Sequence, residues 1–177
     1  YAFLIEPPDQ LAGRVKGGVS EIPGVSYSQL DMEQAALVYV FQYLIGNTDW
    51  SFVPSGGEET CCHNVDLIEI ESKQFPVPYD FDLAGIVNAK YARPDPSLKI
   101  ENVWQRLYRG YCTEPEYLRT ALDSITSNEA EAMRVISELP GMTEKEKAKR
   151  VDYLETFFKK AARKDRLVRS FERACKG

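Results

Sequence analysis

Residues 31–49 read DMEQAALVYVFQYLIGNTD, a run that is apolar on nearly every side until it reaches a Gly-Asn pair. Ser28 and Asp31, three residues apart, resemble a helix start, and glycine followed by asparagine is typical of a helix end. A helix that is apolar all round belongs inside a protein core. The run therefore predicts a buried helix over Asp31–Ile45, followed closely by Asp49.

The composition of the chain is that of an ordinary globular domain. Its 177 residues are enough for a sizeable core, and 44% of them are hydrophobic. The formal net charge of −5 argues against nucleic acid or an anionic membrane as the main partner. No apolar run is long enough to span a bilayer. These features predict a single domain over residues 1–177.

The charge is unevenly distributed along the chain. Residues 1–100 contain 14 acidic and 6 basic side chains, whereas residues 101–177 contain 13 acidic and 16 basic ones. The acidic half suits a carboxylate-lined site that binds a divalent metal ion. The basic excess of the second half is equally expected of ordinary helix surfaces.

Short extended runs and turn signals frame the central helix. Tyr1–Glu6 is an apolar run ended by two prolines, which predicts a buried strand, and Asp9–Val15 predicts a short helix capped by its aspartate. Residues 65–70 largely alternate between apolar and polar side chains, and residues 74–79 form a second extended run. The polar residues 71–73 between them predict a hairpin.

The C-terminal part of the chain is predicted to be helical. Residues 102–109 predict a short helix, and two more are expected between residues 114 and 139. Thr143 and Glu146 form a capping box that opens a long last helix, with apolar residues at helical spacing as far as Phe171. The fold class predicted for the chain is therefore α+β.

The four cysteines are Cys61, Cys62, Cys112 and Cys175. The even number is compatible with two disulfides or with free buried thiols. The preferred interpretation is a disulfide from the adjacent pair to one of the two later cysteines. Zinc at Cys61, Cys62 and His63 is disfavoured, because adjacent cysteines rarely chelate one ion. Paired cysteines would favour an exported protein, periplasmic or extracellular.

Three groups of polar residues have the composition of a phosphoryl-transfer site. They are Asp49 after the buried helix, His63-Asn64 before the hairpin, and Asp80-Phe81-Asp82 after it. Oxygen-rich side chains suit Mg²⁺ or Mn²⁺, and phosphoryl transfer needs metal ligands together with a carboxylate that orients or deprotonates the attacking hydroxyl. Each residue taken alone also has an ordinary role in turns; the order in which the groups occur favours the functional interpretation.

This order resembles the catalytic segment of the kinase superfamily, where a core helix, an Asp, an Asn, two short strands and an Asp-Phe-Gly motif succeed one another. The chain is most similar to the CotH spore-coat kinase family and related bacterial proteins. Those proteins have a YLLIE-x-x-D strand, a later Asp followed by hNhhhh, and a PWDhD motif, where h is apolar. The matching segments here are residues 1–9, 47–49, 63–65 and 77–82.

The resemblance implies a function and a set of roles. The protein would be a kinase-like phosphotransferase that uses Mg²⁺ (or Mn²⁺) and ATP to phosphorylate a protein or another hydroxyl acceptor. Asp49 would be the catalytic carboxylate, and Asn64 and Asp80 would bind metal, with Asp82 a further ligand. Glu6 would lie on the hinge strand beside the adenine.

The resemblance also implies the organisation of the lobe. Residues 1–28 would be the hinge strand and the helix after it, residues 29–90 the catalytic segment, and residues 91–177 a helical subdomain. The phosphate-binding N-terminal lobe of such folds lies upstream of the hinge strand, so residues 1–177 would be the C-terminal lobe, and feeble nucleotide binding is expected of it alone.

The chain departs from ordinary kinases in one spacing. Asp49 and Asn64 are fifteen positions apart, whereas the H-R-D-x-x-x-x-N loop places them five apart. The intervening residues 51–62 are therefore expected to form an excursion held by a disulfide.

Two other functions compete with phosphotransfer. One is a pseudokinase-type binding module that has lost turnover. The other is a metal-dependent phosphohydrolase that uses Asp80 as nucleophile and Asp82 as acid. Arg106 and Arg109 are predicted either to meet a phosphorylated substrate or to pair with the acidic loop, and His63 is predicted to be structural.

Overall fold

The structure is a computed structural model that describes residues 6–53 and 60–176. The described residues form six α-helices and three strands, which confirms the mixed α+β class. The helices are α1 (Pro8–Arg14), α2 (Met32–Ile45), α3 (Pro115–Ser127), α4 (Glu129–Glu138), α5 (Glu144–Ala161) and α6 (Lys164–Ala174); the strands are β1 (Gly18–Val19), β2 (Val65–Ile70) and β3 (Lys73–Pro78). The predicted strand at the N-terminus lies outside the described residues except for Glu6.

The sheet is antiparallel, in the order β1-β2-β3. Strands β2 and β3 pair over their whole length and confirm the predicted hairpin. Its turn is two residues long, Glu71 and Ser72, and both have positive φ, as a tight hairpin turn requires. Strand β1 was not predicted, because two residues give no alternating pattern; it pairs with the free edge of β2.

Helix α2 lies in the core, as its uniform apolarity predicts. The Asp31 side chain caps it by accepting a hydrogen bond of 2.9 Å from the Gln34 backbone N–H. Ala35 and Val40 are fully buried, and the surrounding cluster draws on α3, α5, α6 and β2. Helix α1 begins one residue earlier than predicted and is not capped by Asp9, which lies in its first turn.

The carbonyl groups at the C-terminal end of α2 find partners in other segments. Gly46 takes a left-handed conformation (φ 70°), and the Asn47 N–H returns to the Gln42 carbonyl at 2.9 Å. Ile86 N–H donates to the carbonyl of Ile45, the last helical residue, and Gly85 N–H donates to the Gly46 carbonyl at 3.0 Å. The backbone just beyond the Asp-Phe-Asp triplet is thereby fixed to the end of α2.

Replacing Gly46 by alanine is expected to destabilise the protein strongly. A Cβ at this position would lie 2.0 Å from the Tyr153 hydroxyl oxygen, and the positive φ adds about 1–2 kcal/mol for any residue with a Cβ. Urea unfolding of Gly46→Ala should show a loss of about 2–4 kcal/mol. The matched control is Gly13→Ala in α1, which meets no atom within 4 Å and should be neutral or slightly stabilising. Equal stability of the two variants would contradict this packing.

The helix predicted over residues 102–109 is absent from the described structure. Side chains there bond to nearby backbone instead: Asn102 accepts from the Trp104 N–H at 3.1 Å, and Gln105 accepts from the Glu101 N–H at 2.7 Å. Such local bonds compete with helix formation. Arg106 also reaches away to the Leu44 carbonyl at 3.0 Å, a tertiary contact that no local pattern reveals.

The predicted last helix is two helices, α5 and α6. Thr143 and Glu146 form the expected capping box at the start of α5. The helix ends at Ala161, and Arg163 leaves the helical region (φ −105°, ψ 56°). No glycine or proline marks this break. It allows the apolar residues of α6, including Val168 and Phe171, to be buried in the same core as those of α5.

The cysteine pairing predicted from the sequence is wrong. Cys112 pairs with Cys175, and Cys61 pairs with its neighbour Cys62. A backbone hydrogen bond explains the Cys112–Cys175 disulfide. The Cys112 N–H donates to the Lys176 carbonyl at 2.9 Å, which places Cys112 beside the end of α6. The Cys61–Cys62 pair ties no distant segments together, so the predicted disulfide that holds the 51–62 excursion to another element does not exist.

Among the residues that the structure describes, no helix is both long enough and apolar enough to cross a membrane.

Candidate functional site

Three chain segments meet just beyond the end of α2. Ser51 and His63 exchange two backbone hydrogen bonds of 3.1 Å, which places the segment of Asp49 beside the segment that leads into β2. The N–H of Tyr79, at the end of β3, donates to the Asn64 carbonyl at 3.1 Å. The two predicted acidic groups and the predicted asparagine are therefore joined through the backbone.

The Asp49 carboxylate is held on both oxygens. Its Oδ1 lies 3.0 Å from His63 Nε2, and its Oδ2 accepts a hydrogen bond of 2.9 Å from Asn64 Nδ2. The same amide donates to the Asp49 carbonyl at 2.8 Å, and the Asp49 N–H donates to Asn47 Oδ1 at 2.9 Å. The side chains of Asp49 and His63 remain about one-third exposed, at 35% and 31%. The carboxylate is thus fixed in orientation and still open to a substrate.

Asn64 has a conformation suited to this position. Its φ of 54° is left-handed, a region that asparagine tolerates better than most residues. Its amide nitrogen is used by Asp49, whereas its Oδ1 accepts no hydrogen bond from the described residues. That oxygen is available as a ligand.

Asp80 and Asp82 lie at the end of β3. Asp80 also has a left-handed conformation (φ 51°), and its Oδ1 accepts a long hydrogen bond of 3.4 Å from the Asp82 N–H. Tyr91 donates its hydroxyl to Asp82 Oδ2 at 2.9 Å. Asp82 therefore has a partner from the following loop that the sequence did not suggest.

The pKa of the Asp80 carboxyl is raised above its ordinary value. Partial burial is the largest cause, and the negative charges of Asp82 and Asp49 add to it, against one hydrogen bond from the Asp82 backbone that lowers it. Asp80, Asp82 and Asp49 therefore act on one another electrostatically. A bound cation would offset the repulsion that these neighbouring carboxylates exert on Asp80.

An Asp80→Asn variant should be more stable than wild type at neutral pH, and this difference should become smaller at acidic pH. The raised pKa means that ionised Asp80 is unfavourable in the folded protein, a penalty that is present at neutral pH and disappears as the pH falls through that pKa. Asparagine lacks the charge and tolerates the positive φ. In buffer with EDTA, thermal unfolding should show Asp80→Asn more stable than wild type at pH 7, and the difference should shrink on acidification. A difference independent of pH would contradict repulsion at this site.

The ligand set fits a metal ion that is shared with a substrate. Within the described ranges, no three His, Cys, Asp or Glu side chains are grouped so as to hold a metal ion by themselves. Mg²⁺ in phosphotransfer sites is typically held by one or two carboxylates, waters and substrate phosphates. Asp80, Asp82 and the Asn64 amide oxygen are donors of the kinds that such a site uses. Cys61 and Cys62 are paired with each other in a disulfide.

Arg106 and Arg109, which lie in the segment predicted to be a helix over residues 102–109, contact the C-terminal end of α2 and the residues after it. Arg106 bonds the Leu44 and Tyr153 carbonyls, and its guanidinium lies 3.7 Å from the centre of the Tyr153 ring. Arg109 donates to the carbonyl of Thr48, next to Asp49. Neither makes a salt bridge with an acidic side chain of the described residues, so their observed role is to position the end of α2.

The remaining predicted site residue, Glu6, is on the surface. It forms an ion pair of 2.8 Å with Arg14, which lowers the pKa of its carboxyl. The structure shows no hydrogen bond between Glu6 and the Asp49 group in the described residues. The aromatic residues Trp50, Phe52 and Tyr108 are buried, as expected for core positions.

The contact between His63 and Asp49 was not predicted from the sequence. His63 was predicted to be structural, and its ring contacts the carboxylate of Asp49 directly. A signal was present, because His63 is the only histidine and immediately precedes the predicted metal ligand Asn64. Tyr91, in contrast, lies in a proline-bearing loop without any local pattern that links it to Asp82.

No protein-family model, curated protein or solved structure was found to match this chain.

Proposed function

We propose that this chain is the catalytic C-terminal lobe of a kinase-like phosphotransferase that uses Mg²⁺ (or Mn²⁺) and ATP. One observation carries the proposal: Asp49, Asn64 and the Asp80 segment, predicted as catalytic parts from their order and from the resemblance to kinase-like proteins, are hydrogen-bonded into one site. The partially exposed Asp49 carboxylate and the repelling pair Asp80 and Asp82 are the two chemical elements that phosphoryl transfer needs.

Each side chain has a distinct role in this proposal. Asp49 would orient the acceptor hydroxyl and accept its proton, with His63 and Asn64 holding the carboxylate in place. Asp80, Asp82 and Asn64 Oδ1 would hold the metal ion. When bound, the ion supplies positive charge that neutralises the phosphate oxygens. The backbone hydrogen bonds of Gly85 and Ile86 to the end of α2 would hold the two elements near each other.

The two competing functions have less support. A phosphohydrolase with an Asp-x-Asp pair generally places it after a strand of a parallel sheet, whereas the described sheet is antiparallel. Asp82 also accepts a hydrogen bond from Tyr91, which favours a fixed carboxylate over a general acid. A non-catalytic binding module would not need the double hydrogen bonding of Asp49.

The partners and the compartment of the protein follow from the same proposal. The acceptor would be a protein or a small molecule with a hydroxyl group, and an N-terminal lobe would complete the nucleotide site. Both cysteine pairs lie at disulfide distance. Such pairing is typical of oxidising compartments and supports export to the periplasm or the cell exterior.

Calorimetry of the full-length protein tests the nucleotide site. ATP is titrated once with Mg²⁺ and once with EDTA, and the difference defines Mg²⁺-dependent binding. Asp80→Ala should weaken that component at least about tenfold, because a charge-assisted contact contributes about 1.5–3 kcal/mol. Glu129→Ala, which removes an exposed carboxylate from α4, should leave it unchanged. No Mg²⁺-dependent binding by the wild type would overturn the proposal.

A further inference from the structure

The corner between α5 and α6 forms a cavity with a strongly basic lining. Its volume is about 520 Å³, within the range of small-molecule sites. Five of its side chains are cationic: Lys159, Lys160, Arg163, Arg166 and Arg173. None of the residues that line it belongs to the Asp49 group.

Four of the five cations of this cavity form no ion pair with the described residues. Every described arginine before residue 160 makes an ion pair or a hydrogen bond with its side chain. Arg163, Arg166 and Arg173 make neither within the described part of the chain. Of the two lysines, Lys159 pairs with Glu155 at 2.7 Å, and Lys160 lies 6.0 Å from the ring centre of Tyr43.

The acidic residues of α6 do not compensate for this charge. Asp165 is held by Arg119 at 3.2 Å, on the side of α3. Glu172 is exposed and does not line the cavity. Unpaired guanidinium groups that face one concave space repel one another, and an anion bound between them would remove that repulsion.

The chemistry of the lining selects the kind of anion. The planar guanidinium fork matches two oxygens of a phosphate, and the three arginines together with Lys160 carry more positive charge than one phosphate group neutralises. Tyr43 and Leu167 provide apolar wall, and the Ser170 hydroxyl in the lining donates to the Leu167 carbonyl at 2.6 Å. A concave space of this size fits a discrete molecule better than the flat surface of a bilayer.

We propose that the α5–α6 cavity is a binding site for a soluble anion that carries two or more linked phosphate groups. The site is separate from the Asp49 group, and the inference does not depend on phosphotransfer there. It gives the basic half of the chain a function beyond that of an ordinary helix surface.

Inorganic triphosphate is the probe, titrated by calorimetry into the full-length protein in low salt with EDTA. EDTA keeps the acidic Asp80 site from binding triphosphate through a metal ion. We expect saturable binding with Kd on the order of 10–100 µM, weakening as salt is added. Absence of saturable binding below about 1 mM would overturn the proposal.

Two arginines of α6 provide a matched pair of variants. Arg166 lines the cavity, whereas Arg169 does not; both are exposed, and neither forms an ion pair with another described residue. Arg166→Gln should weaken triphosphate binding about tenfold, and Arg169→Gln less than about threefold, because only the first removes a direct charge-assisted bond. Equal losses in both variants would show attraction by surface charge alone and contradict a built site.

Phosphate groups also occur in lipid headgroups. Binding to vesicles distinguishes this source from a soluble anion. Sedimentation with vesicles of phosphatidylglycerol and phosphatidylcholine should show little binding that depends on Arg166. Binding to these vesicles that is lost in Arg166→Gln, without saturable binding of triphosphate, would replace the proposal with a membrane-facing surface.

Discussion

Asp49→Asn is expected to lower the rate of phosphate transfer about 10²- to 10⁴-fold, the usual contribution of a positioned acid–base group. The substitution keeps the size of the side chain and its contact with the Asn47 turn, but it removes the proton acceptor. The affinity for Mg²⁺ and ATP should remain the same or become tighter, because Asp49 is not among the proposed metal ligands. Transfer of labelled γ-phosphate and calorimetry measure the two effects separately.

His63→Gln is the control that decides which group accepts the proton. Glutamine can still donate a hydrogen bond toward Asp49 Oδ1, where His63 Nε2 now lies at 3.0 Å. If Asp49 is the base, this variant should lose less than about tenfold in rate. A loss as large as that of Asp49→Asn would assign proton transfer to His63, with Asp49 as its positioning residue.

Removal of the Cys112–Cys175 disulfide is expected to cost about 4 kcal/mol of the free energy of unfolding. The two cysteines are 63 residues apart, and closing a chain segment of that length removes a large entropy from the unfolded state. The bond also ties the end of α6 to the segment that contains Arg109. Urea unfolding of the Cys112→Ser, Cys175→Ser double variant measures the loss.

The disulfide between the adjacent residues Cys61 and Cys62 is the control for the prediction about Cys112–Cys175. Cys61 and Cys62 are one residue apart, so their bond closes no segment of chain, and the Cys61→Ala, Cys62→Ala variant should lose less stability. Similar losses in the two double variants would contradict an effect of loop closure.

Local patterns predicted those parts of the fold in which the local signal and the tertiary environment agree. The helix of residues 32–45, its cap at Asp31 and its end at Gly46 are all determined by nearby residues. The β2–β3 hairpin is likewise a short-range structure. The break at Arg163 and the irregular segment around Arg106 depend on long-range packing, so patterns of sequence alone could not predict them.

The candidate site shows the same division between local and long-range information. The order of Asp49, Asn64 and Asp80 along the chain indicated a common site, and the Ser51–His63 pairing brings the first two into contact. The contacts of Tyr91 with Asp82 and of Arg109 with Thr48 join residues whose spacing follows no local rule. The cysteine pairing was not predictable because spacing alone does not define connectivity.

The fate of the γ-phosphate of ATP is the most direct test of the proposed function. The full-length protein is incubated with Mg²⁺ and labelled ATP, and label is followed in protein, in added hydroxyl acceptors and in inorganic phosphate. Phosphotransfer predicts Mg²⁺-dependent label on a hydroxyl group, absent in Asp80→Ala. Release of the label only as inorganic phosphate, or no turnover despite Mg²⁺-dependent ATP binding, would contradict the proposal and favour the hydrolase or the binding module.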